Sequence, residues 1–314
     1  MRILVVGAGA IGGYFGGRLL EAGCDVTFLV RPRRAAQLAK TGLVVTSRFG
    51  NVNLPAPPTV AADTLREPFD LILLSCKAYD LESAADSFAP AVGTNTAILP
   101  LLNGMRHMDY LTERFGGGNV LGGQCQISAT LDAEGRVLHL NDLHFLSFGE
   151  TDGTLSQRAQ AIAATFAGAR FESKLSNAIL QEMWEKWVLI AAVAGITCLM
   201  RSTVGDIVAA NEGNQSAALL DDCAAIAAAH GFAPSAPFLG RARAMITTAG
   251  STFAASMLRD IERVAPIEAD HIIGDLLRRG GGSSRDHPLL RIAYAHLKAY
   301  EARRTREDKV SQAA

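Results

Sequence analysis

The sequence predicts an α/β protein in two parts, a parallel-sheet domain over residues 1–174 followed by an all-α domain over residues 175–314. Three observations predict it. The chain has 314 residues, about the length of two ordinary domains. Short, continuous apolar runs bounded by turn residues recur in the first half, as strands buried on both faces require. After Lys174 they give way to apolar residues at helical spacing: Ile179, Leu180, Met183, Trp184, Trp187 and Val188.

The first run, R2-I-L-V-V6, is rich in β-branched residues and leads directly into G7-A-G-A-I-G12. A helical pattern follows (Ile11, Phe15, Leu19) and ends near Gly23, and D25-V-T-F-L-V30 reads as a second strand. Strand, glycine turn, helix and strand within about thirty residues is the Rossmann-type dinucleotide-binding unit. Gly7 allows the tight turn, Gly9 lets backbone approach a pyrophosphate, and Gly12 lets the helix pack closely on the strand. Ala8, Ala10 and Ile11 complete the loop, and the helix N-terminus turns free N–H groups toward the phosphates. The competing reading is a glycine-rich turn that serves packing alone.

The end of the second strand chooses between dinucleotides. NAD sites place a carboxylate there for the ribose, and NADP sites place an arginine for the 2′-phosphate. Here V30-R-P-R-R34 holds no acid, and Asp25 lies at the wrong end of the strand. The guanidinium of Arg31 suits a phosphate dianion, so NADP is expected. A solvated basic turn is the alternative.

D70-L-I-L-L-S75 reads as another buried strand and is followed by Lys77; the run Thr96–Leu99 leads on to Asn103 and Gly104. Both polar insertions fall just past the carboxyl end of a strand, where open α/β sheets bind ligands. Lys77 could reach a phosphate, a ribose or a substrate carboxylate, and Asn103 could present its amide to a nicotinamide. Each is also a common turn residue. Residues 120–149 alternate and predict two or three further strands; a helix at 155–167 and a strand at Arg170–Glu172 close the domain. His139, Asp142 and His144 lie close in sequence, but their alternation and lack of partners predict no metal site.

In the second half Ser176 is a candidate helix cap, and helices are predicted near 215–230, 237–248, 251–262, 267–279 and 287–304. G280-G-G-S-S284 reads as a loop between helices, and the mixed-charge run 302–309 as a frayed, solvated tail. Two charged residues stand out. Lys186 heads an uncharged run of 14 residues, Trp187–Met200; its ammonium either snorkels to water or is a proton donor aimed into a cleft between the domains. Glu268 follows Pro266, which reads as a first-turn proline, and its carboxylate either complements a helix dipole or takes part in a site.

Composition narrows the function. Thirty basic and 31 acidic residues give a formal net charge of −1, which predicts no nucleic acid and no membrane as partner. Five scattered cysteines without a C-x-x-C point to a reducing cytoplasm. The apolar N-terminus is better explained by its glycines than as a signal peptide, and the run after Lys186 is short of the ~20 residues that span a bilayer. The helical half could carry a homodimer interface, although no exposed stripe marks one.

G7-A-G-A-I-G12, S75-C-K77-A-Y, L102-N103-G-M, W184-E-K186-W and S256-M-L-R-D260 followed by I267-E268-A-D270 together resemble the ketopantoate reductase family over nearly the whole chain. That family reduces 2-dehydropantoate to pantoate with NADPH. The resemblance implies that Gly7, Gly9 and Gly12 hold the pyrophosphate and Arg31 the 2′-phosphate, while Lys77, Asn103 and Ala129 line the cofactor. It implies Lys186 as general acid, Ser256 at the substrate, and Glu268 between cofactor and substrate. The family's asparagines four and eight residues after the lysine are Ile190 and Ala194 here, both within about 80° of Lys186 around a helix. Phe253 replaces another. Thr197 is the nearest polar substitute, so a more apolar substrate pocket is expected.

The chemistry is coherent by itself. Hydride addition to a ketone builds charge on oxygen and needs a donor within ~3 Å. A lysine rising from an apolar helix beside a dry cleft parts with its proton more readily, and a carboxylate such as Glu268 would hold it in place. The expected activity is NADPH-dependent reduction of a 2-keto acid, ketopantoate or a more apolar relative. A dehydrogenase of the same plan acting on another hydroxy acid, and a non-catalytic NADP-binding regulator, are the alternatives.

Overall fold

β1 (Arg2–Val6) is the strand around which the first half is built: its last four residues are at most 5% exposed, so both faces are covered. The structure, a computed structural model, describes residues 1–210, 213–281 and 286–313. It divides into two units, Met1–Leu102 with His107–Leu180, and Asn103–Arg106 with Gln181–Ala314.

In the first unit β1 leads through the glycine turn into α1 (Ala10–Glu21), which returns to β2 (Asp25–Leu29). β1 and β2 pair in parallel, from Arg2 against Asp25 to Val6 against Leu29. There follow α2 (Pro32–Thr41), β3 (Leu43–Thr46), β4 (Val52–Leu54), β5 (Thr59–Val60), β6 (Leu71–Leu74), α3 (Leu81–Phe88), β7 (Ala97–Pro100) and α4 (Arg106–Phe115). The main sheet has the order β5-β2-β1-β6-β7 and is parallel throughout. The chain winds outward in both directions from β1, so the glycine loop leaves the sheet at its topological switch point, where such sheets bind ligands.

A second sheet is completed by β8 (Leu121–Leu131) and β9 (Val137–Glu150), then α5 (Gln157–Phe166) and β10 (Glu172–Leu175). Its order is β10-β9-β3-β4, with β8 antiparallel on β9. One apolar core serves both sheets: Tyr14 and Phe15 of α1 join Ile3, Phe28 and Leu73 from one to Val45, Leu121 and Phe148 from the other. The 120–149 region is thus two long strands, and the expected strand at 170–172 lies two residues later, paired from Glu172 against Phe145. α2 and α4 lack a sequence signal for a physical reason. Only Leu38 is buried in the first, and only His107, Met108 and Leu111 in the second, so each presents few apolar residues among many polar ones.

His139, Asp142 and His144 find protein partners. His139 hydrogen-bonds with Ser47 Oγ and Leu143 O, both at 2.9 Å, Asp142 pairs with Arg48, and His144 Nδ1 meets Tyr14 Oη at 2.8 Å. Phe49 stacks on the His144 ring at 3.9 Å.

The second unit is helical: α6 (Ile179–Met200), α7 (Val204–Ala209), α8 (Gly213–Ala229), α9 (Ala236–Thr247), α10 (Ser256–Glu262), a π-helical turn (Asp270–Gly274) that runs into α11 (Asp275–Gly280), and α12 (Pro288–Ala313). α6 is apolar on nearly every side, and Val188, Ala191, Ala192 and Ile196 are fully buried. By length and composition alone it could cross a membrane, but 67% of its apolar window is buried inside the protein. Ser176 Oγ accepts from Ala178 N at 3.0 Å just ahead of it. Much of the Gly280–Ser284 segment lies outside the described residues. The run 302–309 is helical, contrary to the frayed tail expected: α12 continues through it, and Arg304 pairs with Asp308 at 3.1 Å, a contact that helical i,i+4 spacing supplies.

Candidate active site

The glycine loop is shaped by close approach. Gly7 has φ +93° and donates its N–H to Leu29 O at 2.9 Å. A Cβ on Gly12 would lie 2.0 Å from Gly7 O and 2.2 Å from Ser75 Oγ, so only glycine lets α1 start here. Ser75 Oγ lies within hydrogen-bond distance of both Val6 O (3.0 Å) and Gly7 O (3.2 Å), pinning the turn. Gly9 differs: a Cβ there would meet no protein atom within 4 Å, and its φ of −80° suits any residue. Protein packing gives no reason for glycine at this position, whereas a ligand pressed against the backbone would. Ala8 is buried, Ala10 and Ile11 are half-buried, and the first turn of α1 holds no acidic side chain to compete for its N–H groups.

Two arginines near the loop already have protein partners. Arg31, the N-cap residue of α2, donates from Nη2 to Asp80 Oδ1 at 2.7 Å and to Ser83 Oγ at 3.4 Å. The hydrogen bond to Asp80 and its charge raise the guanidinium pKa further. Arg34 donates from Nε to Ala8 O at 2.9 Å and from Nη1 to Gln37 Oε1 at 2.6 Å, and burial lowers its pKa. Lys77 is exposed at the start of a 3-10 turn over Ala78–Asp80. Ala129 is half-buried beside a β-bulge in β8, where Ser128 N donates to Asn141 Oδ1 at 2.9 Å; bulges re-aim side chains next to sites.

In the second unit the segments that carry three expected residues meet at one place, the π-helical turn. Trp187, next to Lys186, donates its buried Nε1–H to Ile272 O at 2.8 Å. Glu268 O accepts from His271 N at 3.1 Å and Ile272 N at 3.0 Å, so Glu268 opens the turn and Pro266 lies ahead of it, outside the first turn where it was expected. The Asn103–Gly104 turn packs there as well: Gly104 has φ +81°, and a Cβ on it would sit 2.7 Å from His271 O. Lys186, Glu268 and Asn103 are each half-buried. π-turns are rare and concentrate at functional sites. Lys186 lies two turns inside α6, not at its head as the apolar run suggested, because the helix starts at Ile179.

Further along α6, Ile190 is half-buried and Ala194 is 2% exposed. Thr197 does not replace the missing polar groups. Its hydroxyl donates to Val193 O at 2.7 Å and accepts from Ala255 N at 3.3 Å, so both roles are spent within the protein. That second bond fastens α6 to the start of α10, where Ser256 is exposed.

Residues 3–153 match the family described as "Ketopantoate reductase PanE/ApbA", and residues 178–301 match its C-terminal part. The chain belongs to the ketopantoate reductase family. It is 38% identical over 303 residues to a Bacillus subtilis protein named "Uncharacterized oxidoreductase YkpB", covering 96% of this chain and 99% of that one. The crystal structure of 2-dehydropantoate 2-reductase from Methylococcus capsulatus superposes with a TM-score of 0.84 at 27% identity, covering 97% and 98% of the two chains. The ternary structure of D-mandelate dehydrogenase with NADH and anilino(oxo)acetate shares the fold, with a TM-score of 0.85 at 21% identity and coverage of 97% and 99%.

Within this ketopantoate reductase fold, sequence reasoning missed Ser75, Asp80 and the Trp187–Ile272 bond. A polar residue closing the apolar run 70–75 was the available signal for Ser75. No local pattern announces the other two, because their partners lie 49 and 85 residues away.

Two buried histidines predict acid sensitivity. Burial foremost, then the neighbouring His139, with Arg18 also contributing, outweigh Glu172 and push the pKa of His144 down from its ordinary 6.5. Burial, aided by Arg106 and Arg278, outweighs Glu268 and Asp275 and does the same for His271. The unfolded chain therefore takes up these protons first, and stability is lost as pH falls through about 6.5. The thermal midpoint should drop between about pH 7 and about pH 5.5, and His144→Gln should reduce that slope; a flat profile in this window would refute the assignment.

Proposed function

We propose that this protein reduces a 2-keto acid to the 2-hydroxy acid with NADPH, acting on 2-dehydropantoate or on a more apolar relative. The observation that carries this reading is that the segments bearing Lys186, Glu268 and Asn103 pack at one π-helical turn, through Trp187, Glu268 and Gly104. A nicotinamide dinucleotide fits the first unit, since the Gly9 backbone is open to an approaching ligand and the first turn of α1 carries no acid. Gly7, Ala8, Gly9, Ala10, Ile11 and Gly12 would hold its pyrophosphate, Arg31 its 2′-phosphate, and Lys77, Asn103, Ala129 and Glu268 the remainder. When bound, it supplies the hydride.

Lys186 Nζ donates a hydrogen bond to the carbonyl oxygen and passes it a proton as negative charge develops there. Glu268 orients that ammonium and Asn103 holds the substrate's polar end. Ser256 adds a hydroxyl, and Ile190 and Ala194 supply apolar wall. Five free thiols suit a cytoplasmic setting, and a homodimer would be formed through the helical unit.

Loss of NADPH absorbance against a panel of 2-keto acids, polar and branched apolar, tests the proposal; turnover with none of them would refute it. The apolar wall makes a further prediction. One added hydrogen bond is worth roughly 0.5–1.5 kcal/mol, so Ile190→Asn should shift the kcat/KM ratio toward 2-dehydropantoate, over its deoxygenated analogue, by about 2- to 10-fold. An unchanged ratio would remove Ile190 from the pocket.

A further inference from the structure

Arg31 and Asp80 leave the sheet from β2 and β6, the two strands that flank β1. Their 2.7 Å ion pair therefore spans the carboxyl end of β1, where the glycine loop begins. Ser83 reinforces the span, with Oγ 3.4 Å from Arg31 Nη2 and donating to Asp80 O at 3.1 Å. Arg34 is more constrained than Arg31, with Nε held by Ala8 O and Nη1 by Gln37 Oε1, which leaves Nη2 alone without a protein partner. The anion that a 2′-phosphate would provide is thus already represented within the fold by a carboxylate.

We propose that Asp80 is a specificity-determining residue that competes with the cofactor's 2′-phosphate for Arg31, so that NADPH must exchange one anion for another while NADH leaves the pair intact. This rests on the reading of Arg31 as the 2′-phosphate ligand. Exchange is cheap here, since the Arg31 side chain is 71% exposed and the Asp80 side chain 32% exposed. Exposed pairs of this kind hold weakly, so the pair can tune selectivity without blocking the site.

The test measures dissociation constants for NADPH and NADH, by tryptophan fluorescence or calorimetry, in the full-length protein and in Asp80→Asn, Arg31→Ala, the double variant and Glu82→Gln. Glu82 is an exposed acid in the first turn of α3, just after Asp80, and controls for the general loss of negative charge. Asp80→Asn is expected to tighten NADPH by about two- to fivefold, the scale of an exposed ion pair, with NADH changed much less and Glu82→Gln without comparable effect. In the Arg31→Ala background the gain should vanish. Weaker or unchanged NADPH binding in Asp80→Asn, or a gain that persists without Arg31, overturns the competition. A wild-type protein that binds NADPH no better than NADH overturns the Arg31 reading itself, and that outcome is separately recognisable.

Discussion

Lys186→Ala is expected to lower kcat by about 10²- to 10⁴-fold, the usual contribution of a positioned general acid, while leaving NADPH binding near its wild-type value. The physical basis is that hydride addition places charge on the carbonyl oxygen, and only a group already aimed at that atom can meet the charge without reorganisation. The backbone that carries Lys186 is firmly held. The adjacent Trp187 is 1% exposed and bonded to Ile272 O, and Glu185 Oε1 accepts from Ser235 N at 2.8 Å, so this turn of α6 is held on two sides. Lys186→Arg should recover little, because a guanidinium holds its proton too tightly to pass it on near neutral pH. Steady-state kinetics with a separate measurement of NADPH affinity checks both. Turnover within about threefold of wild type in Lys186→Ala would remove the residue from the chemistry, since it lies far below the expected range.

The second large effect separates two glycines of one motif. Gly12→Ala places a methyl 2.0 Å from Gly7 O, a backbone atom that cannot turn aside. The cost should reach or exceed the roughly 1–3 kcal/mol of ordinary overpacking, and the thermal midpoint should fall by about 5–10 °C. Gly9→Ala adds a methyl to open space at an ordinary backbone conformation, so stability should stay within about 0.5 kcal/mol. Its dinucleotide affinity should nevertheless fall by about 10- to 100-fold, the scale of losing a charge-assisted hydrogen bond to phosphate. Thermal unfolding and cofactor titration of the two variants provide the check. If Gly9→Ala bound the cofactor normally, the loop would not be cradling a pyrophosphate.

Much of this architecture was legible because it rests on local chemistry. R2-I-L-V-V6 reads as a buried strand, since no water-facing position interrupts it, and G7-A-G-A-I-G12 reads as a phosphate loop because glycine spacing reports steric demands on the backbone directly. Lys186 and Glu268 stood out as charges in apolar or proline-led surroundings. Thr197 shows the limit. By position on α6 it was the natural polar substitute, yet its hydroxyl is used up by Val193 and Ala255, and the second of these lies 58 residues away. The tail 302–309 was misread for a related reason: a dense mixture of charges resembles a solvated coil until helical pairing at i,i+4 is considered.

The sequence by itself determined the two-part plan, the glycine loop and the residues able to carry a proton, because strand burial, glycine geometry and side-chain ionisation are properties of short segments. Tertiary structure alone decided which of those residues meet. Trp187 and Gly104 converge on Ile272 and His271, and Arg31 finds Asp80, through contacts between segments far apart in the chain. Such pairings depend on how helices and strands pack, and packing is a property of the assembled core that no single stretch of sequence contains.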